Sequence, residues 1–349
     1  MDRYIGIDVH RDSSTIVVVS AGGKRTRRDV VATNGRTLIH YLRQLSGTLH
    51  VCIEESPWSE WLHELLSPVV LELVVYQSQW SPGPKNDALD AYGLAEKLRL
   101  GQTGPGNFKA PPRHRKLREW ARVYQALTLD VARCKNRIKS QFQRRGVRCA
   151  GTTVYDPMQR DGWISQLPRS MRPTVELLGL ELDCLTELKG EAERAMLAES
   201  RRHPIAKILK TAPGLGPIRT ARVIAIVVTP HRFRSKRQFW AYCGFGVVTS
   251  TSSDWVQTPG GWVRARAVST RELNRNHNPA LKSIFKSAAT TAIARKKPDH
   301  PLRQTYERLL ESGTRPHLAK ITIARKISGA VLAMWKRKEV YQEDRQAVN

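Results

Sequence analysis

The chain has 349 residues, enough for more than one domain with its own hydrophobic core, and its 40% hydrophobic content excludes disorder throughout. Its 58 lysines and arginines stand against 31 acidic residues, a formal charge of +27 that favours a polyanionic partner, nucleic acid first, over a small metabolite. Five cysteines without a CxxC pair indicate neither a disulfide framework nor a zinc module; no apolar run reaches bilayer length and no cleavable signal pattern opens the chain, so the expectation is a soluble, intracellular protein with reduced thiols and no membrane.

In chain order, β-branched runs bounded by turn formers predict strands over Tyr4 to Val9, Ser14 to Val19 and Asp29 to Ala32. A helix at Thr37 to Leu45, a strand at Leu49 to Glu54, a helix at Trp58 to Leu66, a strand at Leu71 to Tyr76 and a helix at Asp87 to Leu98 follow. Three strands and then α-β-α-β-α is the order of an α/β RNase H-like fold. Repeated Gly and Pro over Gly101 to Pro112 break the periodicity, which sets a first domain at residues 1–112.

A basic helical region is predicted over 113–203. Leu117 to Arg145 is helical and carries Arg133, Lys135, Arg137, Lys139, Arg144 and Arg145 as candidate phosphate contacts, with a solvated surface helix as the plain alternative. Thr174 to Arg201 places Leu177, Leu180, Leu185 and Leu188 at heptad-like spacing, which suits an antiparallel hairpin or an oligomerising coil. Residues 204–349 read as a mainly helical domain, interrupted near Gly244 to Gly261 by a Ser/Thr-rich stretch of strand or loop character and frayed after Tyr341.

Four acids carry the chemistry of the first domain. Asp8 sits within a strand, where a carboxylate needs a partner, and Glu54 ends a strand that such a sheet sets beside the first. Asp87 and Asp90, three apart at a helix start, share a face. Together they can hold one or two Mg²⁺ ions for phosphoryl transfer. Taken singly, Asp87 reads as an N-cap, Asp90 as a first-turn acid and Glu54 as a solvated strand end, with Glu55 a rival to Glu54.

In the last domain, TAPGLGPIRTARVIAIV places a glycine turn between helices, resembling a helix-hairpin-helix, and Arg219 and Arg222 flank it as candidate phosphate contacts. Beyond it, FWAYCGFGVVTSTSSDW ends in a cluster of hydroxyls, Thr249 to Ser253, from which the residues alone single out no nucleophile.

The ordered set of these motifs resembles the serine-dependent DEDD transposases of bacterial mobile elements, the insertion-sequence family numbered 110, over nearly the whole length. The family's acids fall on Asp8 in GIDVH, Glu54 in EESP, Asp87 and Asp90, and its serine falls on Ser252, counted from Gly244 in YCGFG. Ser253 stands where the family has glycine, and Gly246-Val247-Val248 replaces a proline-containing stretch, so Ser253 stays open as the nucleophile and Ser250 after it. The resemblance implies a RuvC-like first domain, a coiled-coil insertion, a C-terminal transposase domain, and a dimer that assembles to a tetramer with composite sites. It also implies Mg²⁺, target and donor DNA and a structured bridge RNA as partners, and action at the nucleoid. The alternatives are a two-metal hydrolytic junction nuclease and a non-catalytic nucleic-acid-binding protein.

Overall fold

The computed structural model describes residues 1–77, 86–104, 106–252, 255–264, 268–295 and 300–342, the side chains of 249–252, 268–271 and 295 excepted. The chain divides into two compact units, Met1–Pro112 and Arg113–Asn349.

The first unit follows the expected order: β1 (Asp2–Val9), β2 (Ser13–Ser20), β3 (Arg25–Ala32), α1 (Gly35–Arg43), β4 (Thr48–Glu54), α2 (Ser59–Leu66), β5 (Glu72–Tyr76) and α3 (Asp87–Arg99). The strands form one mixed sheet in the order β3-β2-β1-β4-β5, with β1, β2 and β3 antiparallel and β1, β4 and β5 parallel.

Strand alternation gives this sheet two apolar faces. Ile5, Ile7, Ile16, Val18, Val51 and Ile53 meet Leu38 and Leu42 of α1 and Leu62 and Leu66 of α2 on one face. The residues between them, Tyr4, Val17, Val19 and Cys52, meet Ala91, Leu94, Ala95 and Leu98 of α3 on the other. Gly6 lets α3 approach closely, since a Cβ there would lie 1.8 Å from the Ala91 carbonyl oxygen and 2.8 Å from the Ala95 nitrogen. The three inner strands, β2, β1 and β4, are therefore covered on both sides, which accounts for their apolar runs.

The second unit opens with α4 (Pro112–Gln143), α5 (Pro157–Ile164) and α6 (Arg172–Ser200). Helices α4 and α6 run antiparallel, with Tyr124 beside Lys189 and Cys134 donating from Sγ to the Leu178 carbonyl. Their seam is Val131, Cys134, Ile138 and Phe142 against Val175, Leu178, Leu182 and Leu185. The leucine stripe read from the sequence is mostly a different one: Leu177, Leu180 and Leu188 are exposed, and only Leu185 reaches the seam. The two stripes have similar heptad spacing offset by about two residues, so the spacing alone does not say which of them the partner helix covers.

Then follow α7 (Ile205–Leu209), α8 (Pro217–Val227), α9 (Lys236–Tyr242), strands β6 (Val247–Ser252), β7 (Trp255–Thr258), β8 (Gly261–Arg264) and β9 (Val268–Leu273), and α10 (Pro279–Arg295), α11 (Pro301–Glu311) and α12 (Pro316–Arg337). One core joins Leu117, Ala121 and Tyr124 of α4 and Ala192 and Met196 of α6 to Ile224, Phe239, Phe245, Phe285, Ile323 and Val331. The turn before α8 packs into it: Gly214 has φ +73°, and a Cβ there would meet the Ala288 carbonyl oxygen at 2.2 Å. Among the described residues no helix is long and apolar enough to cross a membrane.

Candidate active site

Parity along the strands decides which acids meet. Asp8 follows Tyr4 and Gly6 onto the face that α3 covers, and Glu54 follows Cys52 onto the same face one strand away. Gly6 lies under Ala91 and Ala95 of α3. Two residues further along β1 is a rise of roughly 6.6 Å, and four residues back along α3 is about 6 Å. Asp8 and Asp87 therefore arrive together at the helix start.

The cap of α3 leaves both helix acids available. Asn86 takes the N-cap position, accepting from the Ala88 amide, so Asp87 and Asp90 occupy the first turn with their carboxylates uncommitted to capping. The positive end of the helix dipole favours negative charge there. Asp87, Asp90 and Glu54 are exposed, whereas the Asp8 side chain is 14% exposed.

Electrostatics ties the four together. Burial raises the pKa of Asp8 above the ordinary carboxylate value; His10 opposes this, and the charges of Asp87, Asp90 and Glu54 raise it further. His10 Nε2 lies 3.3 Å from Asp8 Oδ2 and 3.4 Å from Asp87 Oδ1, so an imidazole stands where the two carboxylates face each other. Asp8, His10 and Asp87 could hold a metal ion, with one ligand atom of each within 4.8 Å of the others. A half-buried acid crowded by three like charges is a site that a cation would relieve, so the residues present fit a bound divalent ion. Asp8 and His10 share strand parity, and the DVH spacing is the sequence signal that finds His10.

Glu55 has a different task. Its carboxylate accepts from Lys109 Nζ at 2.7 and 2.9 Å, from Asn107 Nδ2 at 2.9 Å and from Ser59 Oγ at 2.8 Å. Burial raises its pKa, but these hydrogen bonds together bring it below the usual value. It braces the chain after α3 against α2, which leaves Glu54 as the acid on the α3 face.

In the second unit, Ser252 is the last residue of β6 and pairs with Val268 of β9; Ser250 pairs with Thr270. Ser253 lies outside the described residues, as do the side chains of Ser250 and Ser252. The root of β6 is firmly held. Phe245 is fully buried, the amides of Phe245 and Gly246 donate to the Trp240 carbonyl, and Asn274 donates to the Gly246 carbonyl from its backbone and to the Ala241 carbonyl from its side chain. Gly244, at φ +74°, lies so close to the His277 ring that a Cβ would sit 2.5 Å from it.

The candidate phosphate contacts divide by what already holds them. Arg133 pairs with Asp130 at 2.9 Å, Arg137 with Glu181 at 2.6 Å, and Lys139 donates to the Gly151 carbonyl. Lys135 stands over the Tyr155 ring. Arg219 donates to the Gly214 carbonyl and to Thr291, and Arg222, bonded to Gln125, is turned inward enough that burial lowers its pKa. Arg144 and Arg145 are exposed at the end of α4.

Residues 5–145 match a family model described as a transposase, of the DEDD type of IS110 elements, and residues 206–307 match one described as "Transposase IS116/IS110/IS902 family". The four acids fall inside the first match and Ser252 inside the second. The transposase for insertion sequence element IS1533 of Leptospira borgpetersenii is 21% identical over 173 residues, 47% of this chain and 50% of that protein. The chain thus spans about half the length of this relative.

Proposed function

The chain belongs to the IS110 family of transposases, and from that premise we propose that it is an RNA-guided DNA recombinase that cuts and rejoins DNA through a covalent phosphoserine. The observation that carries this reading is the meeting of Asp8 and Asp87 around His10 at the start of α3, with Asp90 and Glu54 near enough for their charges to raise the Asp8 pKa. The strand order, three antiparallel strands followed by two parallel ones, supports an RNase H-like, RuvC-like assignment for residues 1–112. The remaining assignments are a basic coiled-coil region over 113–203 and a transposase domain over 204–349.

In this reading Asp8, Glu54, Asp87 and Asp90 hold Mg²⁺, a hard cation suited to carboxylate oxygens. When bound, it neutralises charge on the phosphoryl oxygens. The Ser252 hydroxyl attacks the DNA phosphorus: its O–P bond forms, the ester bond to the leaving deoxyribose oxygen breaks, and the serine proton balances the alkoxide released. Attack by a new deoxyribose hydroxyl reverses the step and regenerates the serine. The phosphodiester energy is kept throughout, in keeping with a sequence that has no GxxxxGK[ST] motif for ATP.

The charge of +27 supports target DNA, donor DNA and a structured bridge RNA as partners. Base pairing would supply sequence choice while the protein reads backbone and shape. The exposed leucines of α6 support a dimer that assembles to a tetramer.

The test uses the protein with its co-purified RNA and end-labelled DNA on denaturing gels. Wild type yields a protein–DNA adduct, Ser252→Ala yields none, and Asp8→Asn lowers its formation about 100-fold or more. An adduct persisting in Ser252→Ala would overturn the serine assignment. Mg²⁺-dependent cleavage without any adduct would replace the whole reading with a hydrolytic nuclease.

A further inference from the structure

Strands β7 and β8 form a two-stranded ribbon closed by the turn Thr258-Pro259-Gly260-Gly261, in which Gly261 takes φ +113° and Thr258 Oγ1 donates to its carbonyl at 2.8 Å. All eight residues of the ribbon are exposed, and among the described residues nothing covers either face. Such a hairpin has little stability of its own, yet this one presents Trp255 at 58% and Trp262 at 63% exposure, with Val256 and Val263 more than half exposed. Exposed tryptophans on a bare ribbon are costly unless a partner uses them.

The register tells what the tryptophans can do. Trp255 lies opposite Arg264 and Gln257 opposite Trp262, so both tryptophans, Gln257 and Arg264 share one face and the two valines the other. The Arg264 guanidinium stands 5.8 Å from the Trp255 ring centre. The tryptophans occupy a diagonal pair of positions, separated by about 7–8 Å. That separation is between strand positions; each exposed ring on this face offers its own surface for a base to stack on.

Charge selects the occupant. A second copy would bring another chain of +27 against a face that already carries an arginine, whereas a polyanion is complementary to it. The ribbon also leaves the β6–β9 pair at the end that bears Ser252, which pairs with Val268 across that end. Ser252 and Trp255 are three positions apart in the chain, so their Cα atoms lie within about 11 Å, a reach of roughly three nucleotides.

We propose that the Trp255–Trp262–Arg264 face of this ribbon stacks on unpaired bases of the DNA strand beside the phosphate that is cut. The choice of DNA rests on the recombinase reading; the aromatic and charge arguments do not. Stacking there would hold the strand open next to the serine and fix the position of its backbone.

The experiment measures binding of fluorescein-labelled oligothymidine, oligouridine and a duplex of equal length by anisotropy, for wild type, Trp255→Ala, Trp262→Ala and the corresponding Phe variants. Each Ala change is expected to weaken oligothymidine binding on the order of tenfold, each Phe change to restore most of it, and duplex binding to change less than twofold. Unchanged oligothymidine affinity in the Ala variants would overturn the proposal, as would equal losses on duplex and single strand, or a loss confined to oligouridine. A reduced sedimentation coefficient with unaltered DNA binding would give the face to a second copy instead. The adduct test on Ser252 reads the catalytic proposal separately: adduct formation together with full oligothymidine affinity in the Ala variants would sink the ribbon proposal alone.

Discussion

A single missing methyl group positions the carboxylate site. Gly6 has no φ requirement that demands glycine; what demands it is α3, whose Ala91 carbonyl oxygen a Cβ would approach to 1.8 Å. Backbone cannot yield as a side-chain tip can, so Gly6→Ala must push the helix off the sheet and carry Asp87 and Asp90 with it. Overpacking of this kind costs about 1–3 kcal/mol. The expected result is a lower urea midpoint for the first unit together with weaker Mn²⁺ or Mg²⁺ binding by calorimetry. A variant with wild-type stability and metal affinity would mean that α3 is not seated as described. Strand parity and a helix start are both local patterns, so the sequence alone puts Asp8 and Glu54 on strands and Asp87 and Asp90 on one face of a helix start. The DVH spacing gives His10 the parity of Asp8, but it lies just past the end of β1, and its second partner, Asp87 of α3, is a long-range contact that no local pattern reveals.

At the scale of elements, periodicity identified helices and strands well and their partners less well. α6 carries two apolar stripes, and the one with Leu177 and Leu180 faces solvent while Val175, Leu178 and Leu182 form the seam. An exposed leucine row alongside a satisfied hairpin is what a second coil would use. Leu177→Ser combined with Leu180→Ser should therefore lower the sedimentation coefficient of the assembled protein and leave its melting temperature nearly unchanged. Leu182→Ala, by contrast, should cost about 2–5 kcal/mol of stability. If the double variant sediments as wild type does, the stripe takes no part in assembly. The same limit of local pattern explains Arg219 and Arg222: a count of basic residues cannot tell one that faces phosphate from one that satisfies an internal carbonyl or Gln125. It also explains the ribbon β7–β8, since alternation over four residues is too short to separate strand from loop.

Over the whole molecule, the two units bury separate cores, so each is expected to melt with its own response to pH. The second unit holds a pair of neighbouring histidine rings, His114 on α4 and His203 after α6, with centres 4.8 Å apart and planes tilted by 30°. His114 is buried, and its Nδ1 and the Nε2 of His203 find no hydrogen-bond partner among the described residues. Burial first, then His203, Arg113 and Arg118, push the His114 pKa down to about 4. His203 is lowered as well, by burial and Arg113 against the opposing charge of Glu199. A histidine depressed in the folded state takes up its proton first in the unfolded chain. Its contribution to stability is therefore complete above the unfolded value near 6.5, and it is lost as pH falls from there to about 4. The loss amounts to about 3 kcal/mol at most for His114. The first unit has its own half-buried histidine, His63, lowered by burial and Lys109, so the decisive comparison stays within the second unit. Thermal melting of that unit between pH 7 and 4.5 should fall steeply in wild type and less steeply in His114→Gln, where nothing titrates at that position; parallel slopes would show that the histidine pair is protonated without cost.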